Sequence, residues 1–268
     1  MNDRCLADKN ALIYGAGGAI GGAVARAFAR HGARIFLAGR TVTKLDAVAS
    51  DIAAAGGGAE TAQVDTLDER AVNEHADRVA ATAGRIDITL NAVGIPHVQG
   101  TPFLDLALDD YALPIHAYTR TNFITAKAAA RHMAENSAGV ILTISTPGSW
   151  LPGSGYLGYG VTCGAVETFS RLLASELGPS GIRVVCIRPH AIPEAAARGS
   201  HSHEVFRPVA EAAGVTVEQM LEQAAGGTLL RRLPTLDEVA NAAVFLASDG
   251  ASAMTAVIAN LSCGALVD

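Results

Sequence analysis

The sequence predicts an α/β chain built as a doubly wound parallel sheet, a three-layer α/β/α arrangement in a single domain. Three observations predict it. Short apolar runs without alternation recur along the chain, and such runs suit strands covered on both faces. Each run is followed by a longer segment of helical periodicity, joined to it by a brief turn. The rhythm continues from the first residues to the last with no linker and no break in composition, so the 268 residues read as one unit.

The elements follow in order. Ala11-Leu12-Ile13-Tyr14 reads as a strand, then come glycines and a helix from about residue 20 to residue 31. Residues 34–38 form a second strand and 43–55 a second helix, which Gly56-Gly57-Gly58 stops. Further strands are expected near 60–64, 86–90, 140–144, 182–187 and 256–260, with helical segments between them. The longest irregular stretch is 189–227, which carries Pro193, Gly199, Ser200, His201 and His203. It follows the sixth strand and so lies over the carboxyl edge of the sheet, where ligands bind in such folds. An insertion of that length there reads as a substrate lid, the alternative being a loop devoted to subunit contacts.

Composition narrows the function. Half of the residues are hydrophobic and 17% are charged, which supports a large core and argues against disorder. A formal net charge of −6 offers no electrostatic case for nucleic acid or an anionic membrane. No apolar run approaches a membrane span, and Met1-Asn2-Asp3-Arg4 lacks the apolar stretch of a signal peptide. Cys5, Cys163, Cys186 and Cys263 are scattered without metal-type spacing, so a reduced cytoplasmic protein is expected. His201 and His203 lack an evident third ligand, and no metal is expected.

Gly15-Ala16-Gly17-Gly18-Ala19-Ile20-Gly21 joins the first strand to the first helix. Glycines there allow a tight turn, bring backbone N–H groups near a pyrophosphate and let helix and strand pack closely. The helix N-terminus adds a partial positive charge for the phosphates. This placement predicts a dinucleotide site of the Rossmann type. At the end of the second strand stands Ala38-Gly39-Arg40, with no carboxylate to bind ribose hydroxyls and a guanidinium able to pair with phosphate. NADP(H) is therefore favoured over NAD(H), the alternative being that Arg40 only stacks on the adenine or caps the following helix.

Other segments complete a pattern. Tyr14-Gly15 with Ala19 and Gly21 follows the spacing Thr-Gly-three residues-Gly-X-Gly, with Tyr14 and Ala19 as departures. Asp65 follows the third strand, and Asn91-Ala92-Val93-Gly94 ends the fourth as a variant of Asn-Asn-Ala-Gly. Leu233-Pro234-Thr235, Glu238-Val239-Ala240 and Phe245-Leu246-Ala247-Ser248-Asp249 lie near the C-terminus. Over essentially its whole length the chain resembles the short-chain dehydrogenase/reductase family. The resemblance implies a nicotinamide dinucleotide held by Gly15, Gly17, Gly18, Ile20, Gly21, Arg40, Asp65, Asn91, Gly94 and Pro189, with Asp65 contacting the adenine. It also implies a homodimer or homotetramer formed through two long helices, here about 109–135 and 157–177.

Members of that family transfer hydride beside a tyrosine and a lysine one helical turn apart, helped by a serine and an asparagine. The tyrosine position falls on Tyr159 and the lysine position on Cys163, whose neutral thiol supplies no charge. The chain's lysines are Lys9, Lys44 and Lys127, none of them in the active-site helix. The serine position is Thr146, with Ser145 just before it, and the asparagine position is Tyr118, with Asn122 four residues on. His97 and His190 stand near the sites that meet nicotinamide or substrate and offer alternative proton donors, or are polar loop residues without a role. Tyr156 is placed to face the same cleft, with Trp150, Leu151 and Leu157 as an apolar wall, although Trp150 equally suits packing beneath the lid. The expected function is an NAD(P)(H)-dependent oxidoreductase acting on a carbonyl/hydroxyl pair in a small, fairly apolar substrate. The alternative is a nucleotide-binding but catalytically impaired relative, a sensor or structural partner. A methyltransferase-like Rossmann protein would leave the C-terminal motifs unexplained.

Overall fold

The computed structural model describes residues 4–197 and 200–267; Met1 to Asp3 and Gly199, named above, lie outside the described residues. The chain runs β1 (Asn10–Tyr14), α1 (Ala19–Arg30), β2 (Arg34–Gly39), α2 (Val42–Ala54), β3 (Ala59–Gln63), α3 (Glu69–Ala83) and β4 (Ile88–Asn91). It continues through α4 (Leu108–Glu135), β5 (Gly139–Ile144), α5 (Leu157–Leu177) and β6 (Ile182–Pro189). Then come α6 (Pro193–Ala197), α7 (His201–Ala212), α8 (Val217–Gly226), α9 (Leu236–Ala247) and β7 (Val257–Leu261). The strands form one sheet in the order β3-β2-β1-β4-β5-β6-β7, and every neighbouring pair is parallel.

Successive side chains of a strand point to opposite faces, so each strand feeds two cores. Ile13 and Leu37 pack with Val24, Phe28, Leu45, Val239 and Leu246, under α1, α2 and α9. Leu12 and Phe36 pack with Val72, Val79, Ile124 and Met133, under α3 and α4. This is why the inner strands read as unbroken apolar runs. β3 is the exception, largely exposed, because it is the edge of the sheet.

Local chemistry sets the helix ends. Thr235 Oγ1 accepts from the Glu238 amide at 3.1 Å while Glu238 Oε2 accepts from the Thr235 amide at 2.9 Å, a reciprocal cap that starts α9. Arg232 beside Glu238 holds that carboxyl down at about 2. The segment 189–227 departs from expectation, since it is helical rather than irregular. Thr216 and Gln219 close a second reciprocal cap at the start of α8, and Ser200 Oγ accepts from the Ser202 amide ahead of α7. Pro193 at the first position of α6 and Pro208 inside α7 mask this periodicity.

The topology also places the site. β1 sits between β2 and β4, so the connections leaving its carboxyl end diverge there and open a crevice. Tyr14 is level with Ala38 on one side and Asn91 on the other, so the loops after β1, β2 and β4 start at one height.

Candidate functional site

A cleft of about 540 Å³ opens over the carboxyl ends of β1, β4, β5 and β6. Its floor is the glycine loop. Gly15 has φ of +76°, and a Cβ there would stand 2.5 Å from the Ala92 carbonyl oxygen; side chains are thus excluded by backbone conformation and by space. Gly17, Gly18 and Ile20 line the cleft, and Gly18, at the cap position just before α1, offers no side-chain cap. The uncapped first turn leaves N–H groups for an anionic ligand. Gly21 lies outside the lining: a Cβ there would approach Gly15 O to 2.4 Å, so this glycine lets α1 sit against the loop.

The remaining residues expected to hold a dinucleotide divide. Asn91, Gly94, Pro189 and Arg40 line the cleft. Asn91 clasps its surroundings, donating from Nδ2 to Thr125 Oγ1 at 3.0 Å and accepting from the Val93 amide at 3.1 Å. Asp65 is exposed and spends its carboxylate on the Leu67 amide at 3.0 Å, while its neighbours Val64 and Thr66 reach the cleft. Arg40 is exposed and has no ion-pair partner among the described residues. Lys44, in the first turn of α2, lines the cleft near it, a second cation that the sequence reading left without a role. Its spacing of four from Arg40, across a helix start, was the available signal.

At the other end of the cleft Tyr159, from the first turn of α5, meets Thr146, from the segment after β5. Burial raises the Tyr159 phenol well above its ordinary value, with Cys163 and Tyr118 adding to the rise and Thr146 opposing it. Cys163 is buried one turn further on, its Sγ 3.1 Å from Thr146 Oγ1, and burial lifts the thiol to about 11. The group at the lysine position is therefore neutral. Ser145 does not join Thr146 in the cleft: adjacent residues in extended backbone point to opposite sides, and Ser145 is buried, donating to Glu167 Oε1 at 2.9 Å.

Tyr118 lines the cleft and accepts from the Ile95 amide at 3.0 Å, and burial pushes its phenol up to about 12. One turn along α4, Asn122 donates to the Tyr118 carbonyl at 2.9 Å; its buried Oδ1 has no partner among the described residues. His97 stacks on Tyr159, ring centroids 4.3 Å apart and planes inclined by 13°. The Ile95 carbonyl, 2.7 Å from His97 Nδ1, can only accept, which places the proton on Nδ1. Nε2 is then the acceptor facing the Gln99 amide nitrogen at 2.9 Å. Both nitrogens of this neutral ring are thus engaged, and burial lowers its pKa.

His190 lines the cleft with Nδ1 accepting from the Ala191 amide at 2.6 Å, which leaves Nε2 as its N–H. From α7, the His201 ring lies over Gly94, so close that a Cβ on Gly94 would meet its Cε1 at 2.3 Å. Burial, and then His97, lower its pKa to about 4. His203 is exposed, and no group of three or more His, Cys, Asp or Glu side chains among the described residues is arranged to hold a metal ion. Leu151 and Tyr156 line the cleft, the Tyr156 hydroxyl donating to the Leu151 carbonyl at 2.5 Å. Trp150 and Leu157 do not form the expected wall: Trp150 is 66% exposed and Leu157 45%.

Fold and cleft together define an α/β protein of the Rossmann-like class, with its cleft over the carboxyl edge of the parallel sheet. A family profile described as enoyl-(acyl carrier protein) reductase matches residues 15–265. An uncharacterized oxidoreductase of Mycobacterium tuberculosis (strain CDC 1551 / Oshkosh) is 33% identical over 253 residues, spanning 93% of this chain and 89% of that protein. D-threitol dehydrogenase of Mycolicibacterium smegmatis is 29% identical, over 92% of this chain and 88% of the relative. A solved 7α-hydroxysteroid dehydrogenase, complexed with NADH and 7-oxo glycochenodeoxycholic acid, is 28% identical and superposes with a TM-score of 0.85 over 98% of this chain and 97% of its own. The chain belongs to the short-chain dehydrogenase/reductase family and is an oxidoreductase by that membership. Among the described residues no helix is long and apolar enough to cross a membrane.

Proposed function

We propose that this chain is an NADP(H)-dependent oxidoreductase that acts on a carbonyl/hydroxyl pair in a small, fairly apolar substrate, chiefly as a reductase. The observation that carries the reading is Tyr159 with Thr146 at one end of a cleft whose other end is a cradle fit only for glycine. The uncapped start of α1 suits a pyrophosphate, and Arg40 with Lys44 suits a further phosphate on the adenosine ribose. A nicotinamide bound there supplies the hydride or takes it up.

The chain's own groups supply the rest. Thr146 Oγ1 orients the substrate oxygen, and Tyr159 donates its phenolic proton to that oxygen. Burial keeps Tyr159 protonated, which favours reduction, where the group begins as an acid; oxidation would require it to begin as a base. Leu151, Ile192 and Phe206 give the substrate end an apolar lining. The segment 189–227 supports a lid reading, because Ser200, His201 and Ser202 close over the cleft from α7. Exposed Leu113 and Phe123 on α4, with Val161 and Leu172 on α5, favour a dimer or tetramer through these helices.

A second reading, a nucleotide-binding protein with impaired turnover, is favoured by Cys163. Without an ammonium to lower the phenol pKa, turnover falls by several powers of ten relative to a complete site. The test is a fluorescence titration with NADPH and NADH, followed by nicotinamide absorbance against a panel of ketones and quinones. The expected result is tighter NADPH binding and slow carbonyl reduction that Tyr159→Phe abolishes. Binding without turnover, unchanged by Tyr159→Phe, selects the second reading, and absence of nucleotide binding removes both. Arg40→Ala is expected to weaken NADPH about tenfold and leave NADH unchanged.

A further inference from the structure

We infer that Glu167 is the positioning residue of the reaction site: its buried carboxylate pins the segment 145–150 and so sets where Thr146 stands against Tyr159. The inference rests on the reading above, in which Thr146 orients the substrate oxygen.

Glu167 lies on α5, one turn beyond Cys163 and two beyond Tyr159, with a side chain only 2% exposed. Four donors converge on it. Oε1 accepts from Ser145 Oγ and Ser149 Oγ, each at 2.9 Å. Oε2 faces Trp150 Nε1 at 3.4 Å and the equally buried Arg188 Nη1 at 3.5 Å. Three of these donors, at 145, 149 and 150, bracket Thr146, Pro147 and Gly148, which line the cleft.

The energetics give the arrangement its meaning. A carboxylate in the core is costly unless its lone pairs are taken by donors and its charge is matched. An apolar side chain would fill the same space at less cost, but it would place no directional constraint on two hydroxyls and an indole. Hydrogen bonds to a charged acceptor are shorter and stronger than neutral ones, so the carboxylate holds the segment by direction as well as by volume. One rigid helix thereby carries the proton donor Tyr159 and, two turns on, the anchor of the hydroxyl that works with it. A small displacement of Thr146 is enough to cost rate, because reaction depends on near-attack geometry.

Trp150 is the chain's single tryptophan, so its emission reports on the pinned segment alone. The experiment compares wild type, Glu167→Gln and Ser149→Ala by acrylamide quenching of Trp150, NADPH affinity, and kcat and KM for the best carbonyl substrate. Glu167→Gln keeps the shape and loses the charge and one acceptor. It is expected to raise the quenching constant about 1.3-fold, since Trp150 is already largely exposed, and to lower kcat about tenfold, with NADPH affinity within about twofold of wild type. Ser149→Ala leaves the Glu167–Arg188 pair intact and is expected to move both readouts in the same direction by less. Wild-type quenching in both folded variants overturns the inference. So does a fall in kcat with quenching unchanged, since the loss would not then run through the segment. If Glu167→Gln does not fold, Ser149→Ala decides by the same criteria. If the wild type binds no NADPH, the proposed function fails, while the quenching comparison still decides whether Glu167 pins the segment.

Discussion

Cys163 concentrates the chemistry of this chain in one atom. Its thiol, lifted to about 11 by burial, contributes no positive charge beside Tyr159, whose own phenol is raised by the same burial. Cys163→Lys is expected to raise kcat for reduction at least about tenfold and to move the alkaline fall of that activity to lower pH, as the ammonium favours the phenolate. A pH–rate profile of the variant beside wild type checks this, and an unchanged profile would count against the missing cation as the defect. His75 gives a second prediction at this scale. It is 4% exposed, packs edge-on against Tyr14, and burial lowers its pKa to about 4. Between pH 6.5 and 4 the unfolded chain takes up a proton that the folded chain refuses, so stability is lost as pH falls through that window. The loss from this group is on the order of 2–3 kcal/mol. Urea unfolding at pH 7 and pH 4.5 measures it, and His75→Gln should flatten the slope whatever it does to the level.

Elements meet around the cleft through glycines, and two of them separate fold from function. At Gly15 an added Cβ would run into the backbone of the loop after β4 and would also force φ of +76° on an L side chain. Gly15→Ala is expected to cost about 2–4 kcal/mol and abolish nucleotide binding. At Gly94 the atom in the way is the end of the His201 side chain, which belongs to the proposed lid and can swing aside. Gly94→Ala should therefore leave Tm within about 3 °C of wild type while raising substrate KM several-fold. Thermal melts with steady-state kinetics distinguish the two outcomes, and equal destabilisation by both substitutions would argue that α7 is a fixed part of the core.

At the scale of the whole molecule, the flank formed by α4 and α5 carries a group of exposed apolar side chains. Phe123 is 53% exposed and Leu172 is 63%, on two helices that pack against each other. Such a surface is what the proposed assembly would cover. Phe123→Asp combined with Leu172→Asp is expected to reduce the mass measured by light scattering by at least about half. A monomeric wild type would overturn the assembly reading.

The sequence by itself determined the parallel architecture and the glycine loop that floors one end of the cleft, because both depend on local pattern. Unbroken apolar runs mark strands buried on two faces, and the bounds expected for α5 match those observed. The glycines from Gly15 to Gly21 are legible because only one residue type permits so close an approach. Thr235 with Glu238 is legible as a cap for the same local reason. The brevity of α6 and Pro208 inside α7 hid those two helices, and α8 went unread although Thr216 and Gln219 carried its signal. Tertiary structure alone decided the reaction end. Whether Ser145 or Thr146 faces the cleft depends on the phase of one strand, and that phase is set by what each residue meets 17 to 22 positions away. The stacking of His97 on Tyr159 and the convergence on Glu167 likewise join side chains from separate elements. Packing brings those groups together, and no local period in the chain encodes it.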